Sequence, residues 1–194
     1  MRLFKRKKEE SKPQRHELMD IPIGSMIELS DTTTFALEEK TTQTYELTAY
    51  KKYEAEDFLR FMYQLVNDEE VILGVNLDPN TGLCEVARFV IDSEEKFTEA
   101  LGDTIVIEFE DPENEGETVP VEYSRDDIIS TKMTVISADK TEEYDEVELQ
   151  EFSSEDGTFL SVELWEAWFT FYLGEPIERA DVNVFPMEST ESEE

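Results

Sequence analysis

Apolar and polar residues alternate along most of this chain with a period of two, the signature of strands that bury one face and wet the other. TYELTAY sets Tyr45, Leu47 and Ala49 on one side, and FLRFMYQL sets Leu59, Phe61, Tyr63 and Leu65 on one side, with Arg60 and Gln64 on the other. TIVIEFE, TVPVEYS, STKMTVIS, YDEVELQEF, TFLSVELW, WFTFYLG and ADVNVFP continue the series. Turn residues punctuate it. Pro79 and Gly82 in DPNTG suit a hairpin between two apolar runs, and EDG at 155–157 suits another. One helix is expected, over 92–101, where Ser93 caps SEEKFTEAL, Glu94 and Glu95 lie in its first turn, and Gly102 stops it.

The predicted fold class is therefore mainly β, built of antiparallel sheets or small barrels. A weak internal repeat divides it into two β modules in tandem, 21–91 and 102–186, with the short helix between them. YEAEDFLRFMYQL resembles FSSEDGTFLSVELW, and VILG at 71–74 resembles FYLG at 171–174, both about 100 residues apart; MIELSD at 26–31 resembles VIEFED at 106–111 at an offset of 80. A basic tail over 1–20 and an acidic tail over 187–194 flank the modules.

Charge changes the picture most. Of 194 residues, 49 are Asp or Glu and 17 are Lys or Arg, a net charge of −32. Residues 1–16 hold seven of the bases against Glu9 and Glu10, a net of +5, which leaves ten bases against 47 acids and −37 for the rest. A body of that sign repels nucleic acid and anionic membrane, so direct nucleic-acid binding by the folded part is excluded. The tail has the opposite sign. Arg2, Leu3, Phe4, Lys5, Arg6, Lys7 and Lys8 are candidate membrane contacts, at about 1 kcal/mol per basic group near an anionic surface. No apolar run approaches the roughly 20 residues needed to span a bilayer, and no apolar stretch follows the N-terminal charges as in a secretory signal. A cytoplasmic protein is expected, at most peripheral to the inner membrane face.

Little catalytic chemistry is on offer. His16 lies in the tail and Cys84, in the apolar context LCEVARFV, reads as a structural thiol, so no zinc set or activated thiol can be assembled in the body. Carboxylate pairs remain, and nothing selects one. DPNTG mimics the opening of a calcium loop but has Leu83 where glycine is required and Phe89 where a bidentate Glu is required. DPENEGE at 111–117 gathers acids without a ligand spacing, and the seven glycines are too isolated to form a phosphate loop. No cofactor, metal or catalytic residue is assigned. WEAWFTFY at 165–172 is the densest aromatic cluster, and Trp165, Trp168 and Tyr172 are the candidate partner-binding residues, with Trp168 and Tyr172 at the surface.

The stretch from Tyr144 through Phe152, Asp156, Gly157, Leu160, Ser161, Val162, Glu163, Trp165, Gly174, Glu175, Pro176 and Ile177 resembles the C-terminal half of a bacterial domain family of unknown function. The LFKRKK arm leading to IPIGSMIEL is similar to how its members begin. Such proteins tend to be encoded beside phage-shock-protein-A-like membrane-stress proteins, which implies a role at the inner membrane face and brings no catalytic residues. The leading expectation is a non-catalytic cytoplasmic adaptor of a bacterial membrane-stress or envelope-associated system, with a protein partner and weak membrane contact through its tail. The alternatives are a DNA-mimic inhibitor of a DNA-binding protein and, third, a carboxylate-dependent hydrolase.

Overall fold

Strands account for nearly all the regular structure. The computed structural model describes residues 17–31, 41–78, 81–111, 114 and 116–187. The candidate membrane contacts Arg2 to Lys8, the acidic end beyond Met187, Pro79 of the DPNTG turn, and Glu113 and Glu115 of DPENEGE lie outside the described residues. Eleven strands follow in order: β1 (Met26–Asp31), β2 (Thr41–Ala55), β3 (Phe58–Val66), β4 (Glu70–Leu77), β5 (Cys84–Lys96), β6 (Thr104–Glu110), β7 (Thr118–Ser137), β8 (Thr141–Ser153), β9 (Phe159–Trp165), β10 (Trp168–Ile177) and β11 (Val182–Phe185). A 3-10 turn, Arg179–Asp181, precedes β11. No described helix is long and apolar enough to cross a membrane.

All eleven strands belong to one antiparallel sheet in the order β11-β1-β2-β3-β4-β5-β10-β9-β8-β7-β6. The sheet also bites its own tail. β2 pairs with β1 over 41–46, then bulges at Thr48 against β3 and pairs with β7, from Ala49 opposite Ser137 to Glu54 opposite Lys132. β7 likewise pairs with β6 over 118–124 and with β2 over 132–137, and it bulges twice against β8. Bulges of this kind add twist and redirect a strand where a sheet closes. The result is an eight-stranded ring, β2-β3-β4-β5-β10-β9-β8-β7, from which β1 with β11 and β6 with the start of β7 peel away.

Three apolar clusters follow from that geometry. The ring interior holds Tyr53, Met62, Ile72, Ala87, Phe89, Met133, Val147, Leu149 and Tyr172. On the outside of β3 and β4, Phe61, Tyr63, Leu65, Leu73 and Val75 pack under Ile27 and Leu29 of β1 and Val182 of β11. On the outside of β8 to β10, Phe152, Leu160, Val162, Phe169 and Phe171 pack under Ile105, Ile107, Phe109 and Val121 of β6 and β7. Leu18, within the span expected to be tail, is fully buried in the second cluster, and its carbonyl accepts from the Tyr63 hydroxyl at 2.8 Å.

The helix expected over 92–101 does not form. β5 runs on through Lys96, with Glu95 opposite Phe169 and Lys96 opposite Trp168, and residues 97–101 have no regular structure. One capped turn of helix propensity is worth less than ten residues of ladder with β10. The 80-residue offset in the repeat links β1 with β6, which stand second and last in the strand order and so do not mirror one another. The 100-residue offset links Gly74 on β4 with Gly174 on β10, which stand on either side of β5 at the middle of that order, and both glycines lie against the Phe89 ring from its two neighbouring strands.

That contact makes a prediction. A methyl group at residue 174 would overlap the Phe89 ring and stand 2.7 Å from Phe159 Cδ2. Gly174→Ala should cost about 1–3 kcal/mol by overpacking, read as a lower urea midpoint, whereas Gly102→Ala, with nothing closer than 3.5 Å, should leave the parent midpoint nearly unchanged.

Candidate functional site

The ring interior is not purely apolar. Strand alternation points Lys51 and Tyr53 of β2, Arg60 of β3, Asn76 of β4, Glu151 of β8, Ser161 and Glu163 of β9 and Tyr172 of β10 inward, where they form two networks. In the first, Lys51 Nζ donates to both Glu163 carboxylate oxygens at 2.9 and 3.0 Å and to the Tyr172 hydroxyl at 3.0 Å. The Tyr53 hydroxyl donates to the same carboxylate. In the second, Arg60 holds Glu151 through both terminal nitrogens at 2.7 and 3.0 Å, and donates to Ser161 Oγ at 3.0 Å and from Nε to Asn76 Oδ1 at 2.6 Å. Ser161 in turn donates to Glu151 at 2.8 Å.

One charge of each pair is deep. Arg60 is 4% and Glu163 2% exposed. Ions so placed persist only when paired and hydrogen-bonded, because desolvation costs several kcal/mol each. Burial pulls the Lys51 ammonium down, but the Glu163 charge and the Tyr172 hydroxyl outweigh it, so Lys51 titrates above its ordinary value. Burial, reinforced by the Glu163 charge, raises the Tyr53 and Tyr172 hydroxyls. A lysine held protonated is a poor nucleophile, and tyrosines held neutral are poor bases. This arrangement anchors β2, β9 and β10 to one another.

Two cavities adjoin the networks. One of about 430 Å³ is lined by Arg60, Asn76, Cys84, Phe89, Phe159 and Pro176 among others, and one of about 230 Å³ by Lys51, Gln64, Glu94 and Tyr172. Cys84 is half-buried, and that burial raises its thiol. On the outside, an open groove of about 920 Å³ is walled by Glu54, Glu56, Asp145, Glu146, Glu148 and Glu166. Lys132 pairs with Asp145 there at 3.0 Å.

The three candidate partner-binding residues do not share a surface. Trp168 is 53% exposed beside the β9–β10 turn; Trp165, opposite it in register, is half-buried with its ring 4.5 Å from Tyr144. Tyr172, expected at the surface, is buried. It does lie on the same strand face as Trp168, but that face is the ring interior: Trp168 stands at its mouth and Tyr172 four residues further in. Arg60, expected opposite the buried face of β3, is likewise inside, because β3 is covered on both faces. The sequence signal for both networks was a polar residue flanked by apolar ones, Arg60 between Leu59 and Phe61 and Glu163 between Val162 and Leu164. No known protein family, curated protein or solved structure matches this chain.

Two predictions follow from the first network. Glu163→Leu should cost about 1–3 kcal/mol by leaving the buried Tyr53 hydroxyl and the half-buried Lys51 ammonium without their acceptor, and Lys51→Met combined with Glu163→Leu should recover only the part due to Lys51; urea unfolding of the single and double variants reads the difference. The second concerns alkali. Lys51, Tyr53 and Tyr172 all have raised values in the folded chain, so above about pH 10, where unfolded Lys and Tyr release protons, the folded state holds more protons than the unfolded one and stability falls as pH rises. The urea midpoint should drop between about pH 9 and 11, and the drop should shrink in the double variant.

Proposed function

We propose that this chain is a non-catalytic partner-binding protein whose acidic outer surface docks on a cationic protein. The observation that carries the reading is the charge balance of the two networks in the ring: Lys51 with Glu163 and Arg60 with Glu151 cancel, so they take up none of the chain's net charge of −32. Charge of one sign on a rigid scaffold steers an oppositely charged partner and repels nucleic acid. The groove walled by Glu54, Glu56, Glu146 and Glu148 supports the same reading. The resemblance to proteins encoded beside membrane-stress genes supports a role for this adaptor at the cytoplasmic face of a bacterial envelope, with the basic residues Arg2 to Lys8 as a proposed weak membrane contact.

One salt titration tests the whole proposal, with three probes: a polylysine chain, a DNA duplex and vesicles rich in anionic lipid. Polylysine should bind at low salt and be released as the Debye length falls below roughly 5 Å. The duplex should not bind at any salt. Vesicles should retain the intact chain weakly, and a chain lacking residues 1–16 not at all. Retention of the duplex, or no binding of polylysine, overturns the reading.

A further inference from the structure

The sheet has two ends, and they are finished differently. β11 is four residues long, is followed by Pro186, and has its Val182 carbonyl occupied by Arg179 Nη1 at 2.7 Å. Shortness, proline and blocked backbone groups are the usual defences of an edge strand. β6 has none of them. It is seven residues long, keeps a regular register with β7 from Thr104 opposite Ser124 to Glu110 opposite Thr118, and contains no proline, lysine or arginine.

The ladder says which backbone groups of β6 are free. The Arg125 N–H donates to the Asp103 carbonyl at 2.8 Å, and the Asp111 N–H to the Glu117 carbonyl at 2.9 Å. Residues 103 and 111 are therefore mutually bonded positions, and antiparallel pairing alternates such positions with ones whose groups face the opposite way. Ile105, Ile107 and Phe109 thus bond to β7. Thr104, Val106, Glu108 and Glu110 point their N–H and C=O groups out of the sheet, where no strand follows among the described residues.

The side chains along this edge have two characters. Ile105, Ile107 and Phe109 face inward onto the cluster around Phe152, Val162 and Phe169. Glu108 and Glu110 are exposed on the outer face, with Glu122 of β7 on the same face opposite Val106. We infer that the free edge of β6 is a docking strand for an extended cationic segment of another protein, in which Lys or Arg alternates with apolar residues, added as a further strand of the sheet. Its apolar side chains would prolong the row of Ile105, Ile107 and Phe109, its bases would meet Glu108, Glu110 and Glu122, and its backbone would take up the outward groups of β6. A second copy of this chain is a poorer occupant, since it would bring its own −32 and its own Glu108 and Glu110 to the same edge.

This inference rests on the partner-binding reading and locates it, and the experiment separates the two. The probe is a fluorescent peptide of alternating Lys and Val, titrated by anisotropy with the intact chain and three variants. Val106→Pro removes one outward N–H and leaves the ladder to β7 whole; it should weaken binding roughly tenfold, about the worth of one or two hydrogen bonds, with circular dichroism unchanged. Glu108→Lys should weaken it several-fold more than Glu146→Lys, which makes the same change of net charge in the distant groove. Should Val106→Pro not fold, the same peptide N-methylated at alternate residues, tested on the intact chain, should lose affinity by a similar factor. Equal affinity of the intact chain and Val106→Pro, or of the plain and methylated peptides, overturns the edge and leaves partner binding standing. Failure of the plain peptide to bind the intact chain removes both. Dimerisation that Val106→Pro abolishes makes a second copy the occupant and overturns the cationic segment.

Discussion

Ring closure between β2 and β7 is the constraint on which the rest of this structure depends. Without the pairing of residues 49–54 with 132–137, the chain would be an open twisted sheet with both faces of its central strands in water. Closure gives those strands an inside. It also forces the starts of β2 and β7 off the ring, because a strand edge cannot pair with two neighbours at one place. The released halves carry β1, β11 and β6 with them, and these fold back over the ring's outer surface, so that several strands are buried on both faces.

An interior made this way imposes its own chemistry. Eight strands enclose a space that side chains nearly fill, and here small residues and a few large ones share it: Gly74 and Gly174 give way to the Phe89 ring. Charges admitted to such a space must leave with no net value. Lys51 with Glu163 and Arg60 with Glu151 meet that condition, and each ties strands far apart in sequence, β2 to β9 and β3 to β8. The pairs do little for net stability compared with apolar substitutes, but they define which strands must face one another across the ring.

The outer surface obeys the opposite rule. Its acids greatly outnumber its bases, and exposed pairs such as Lys132–Asp145 and Lys140–Glu142 relieve little of the mutual repulsion. Compactness therefore rests on the three apolar clusters. The same imbalance is the ground on which a cationic partner is proposed over a second copy, and the outward backbone groups of β6 are where that proposal docks it.

Much of the strand pattern was legible in the sequence, because a period of two survives whatever the strand packs against. So were the turns: EDG at 155–157 does join β8 to β9, with Gly157 at a positive φ of 86°. The charge of the outer surface was legible too, since composition alone sets it. The helix over 92–101 was misread because its local signals compete with a ladder to β10, a strand some 70 residues distant. Tyr172 and Arg60 were misplaced for a related reason. Alternation sorts a strand's residues into two faces but carries no label for which face is wet, and where a flap covers the ring neither is. Which carboxylate meets which cation, and which edge stays open, were decided only when β2 met β7, because those relations depend on strand order around the ring and not on any neighbour along the chain.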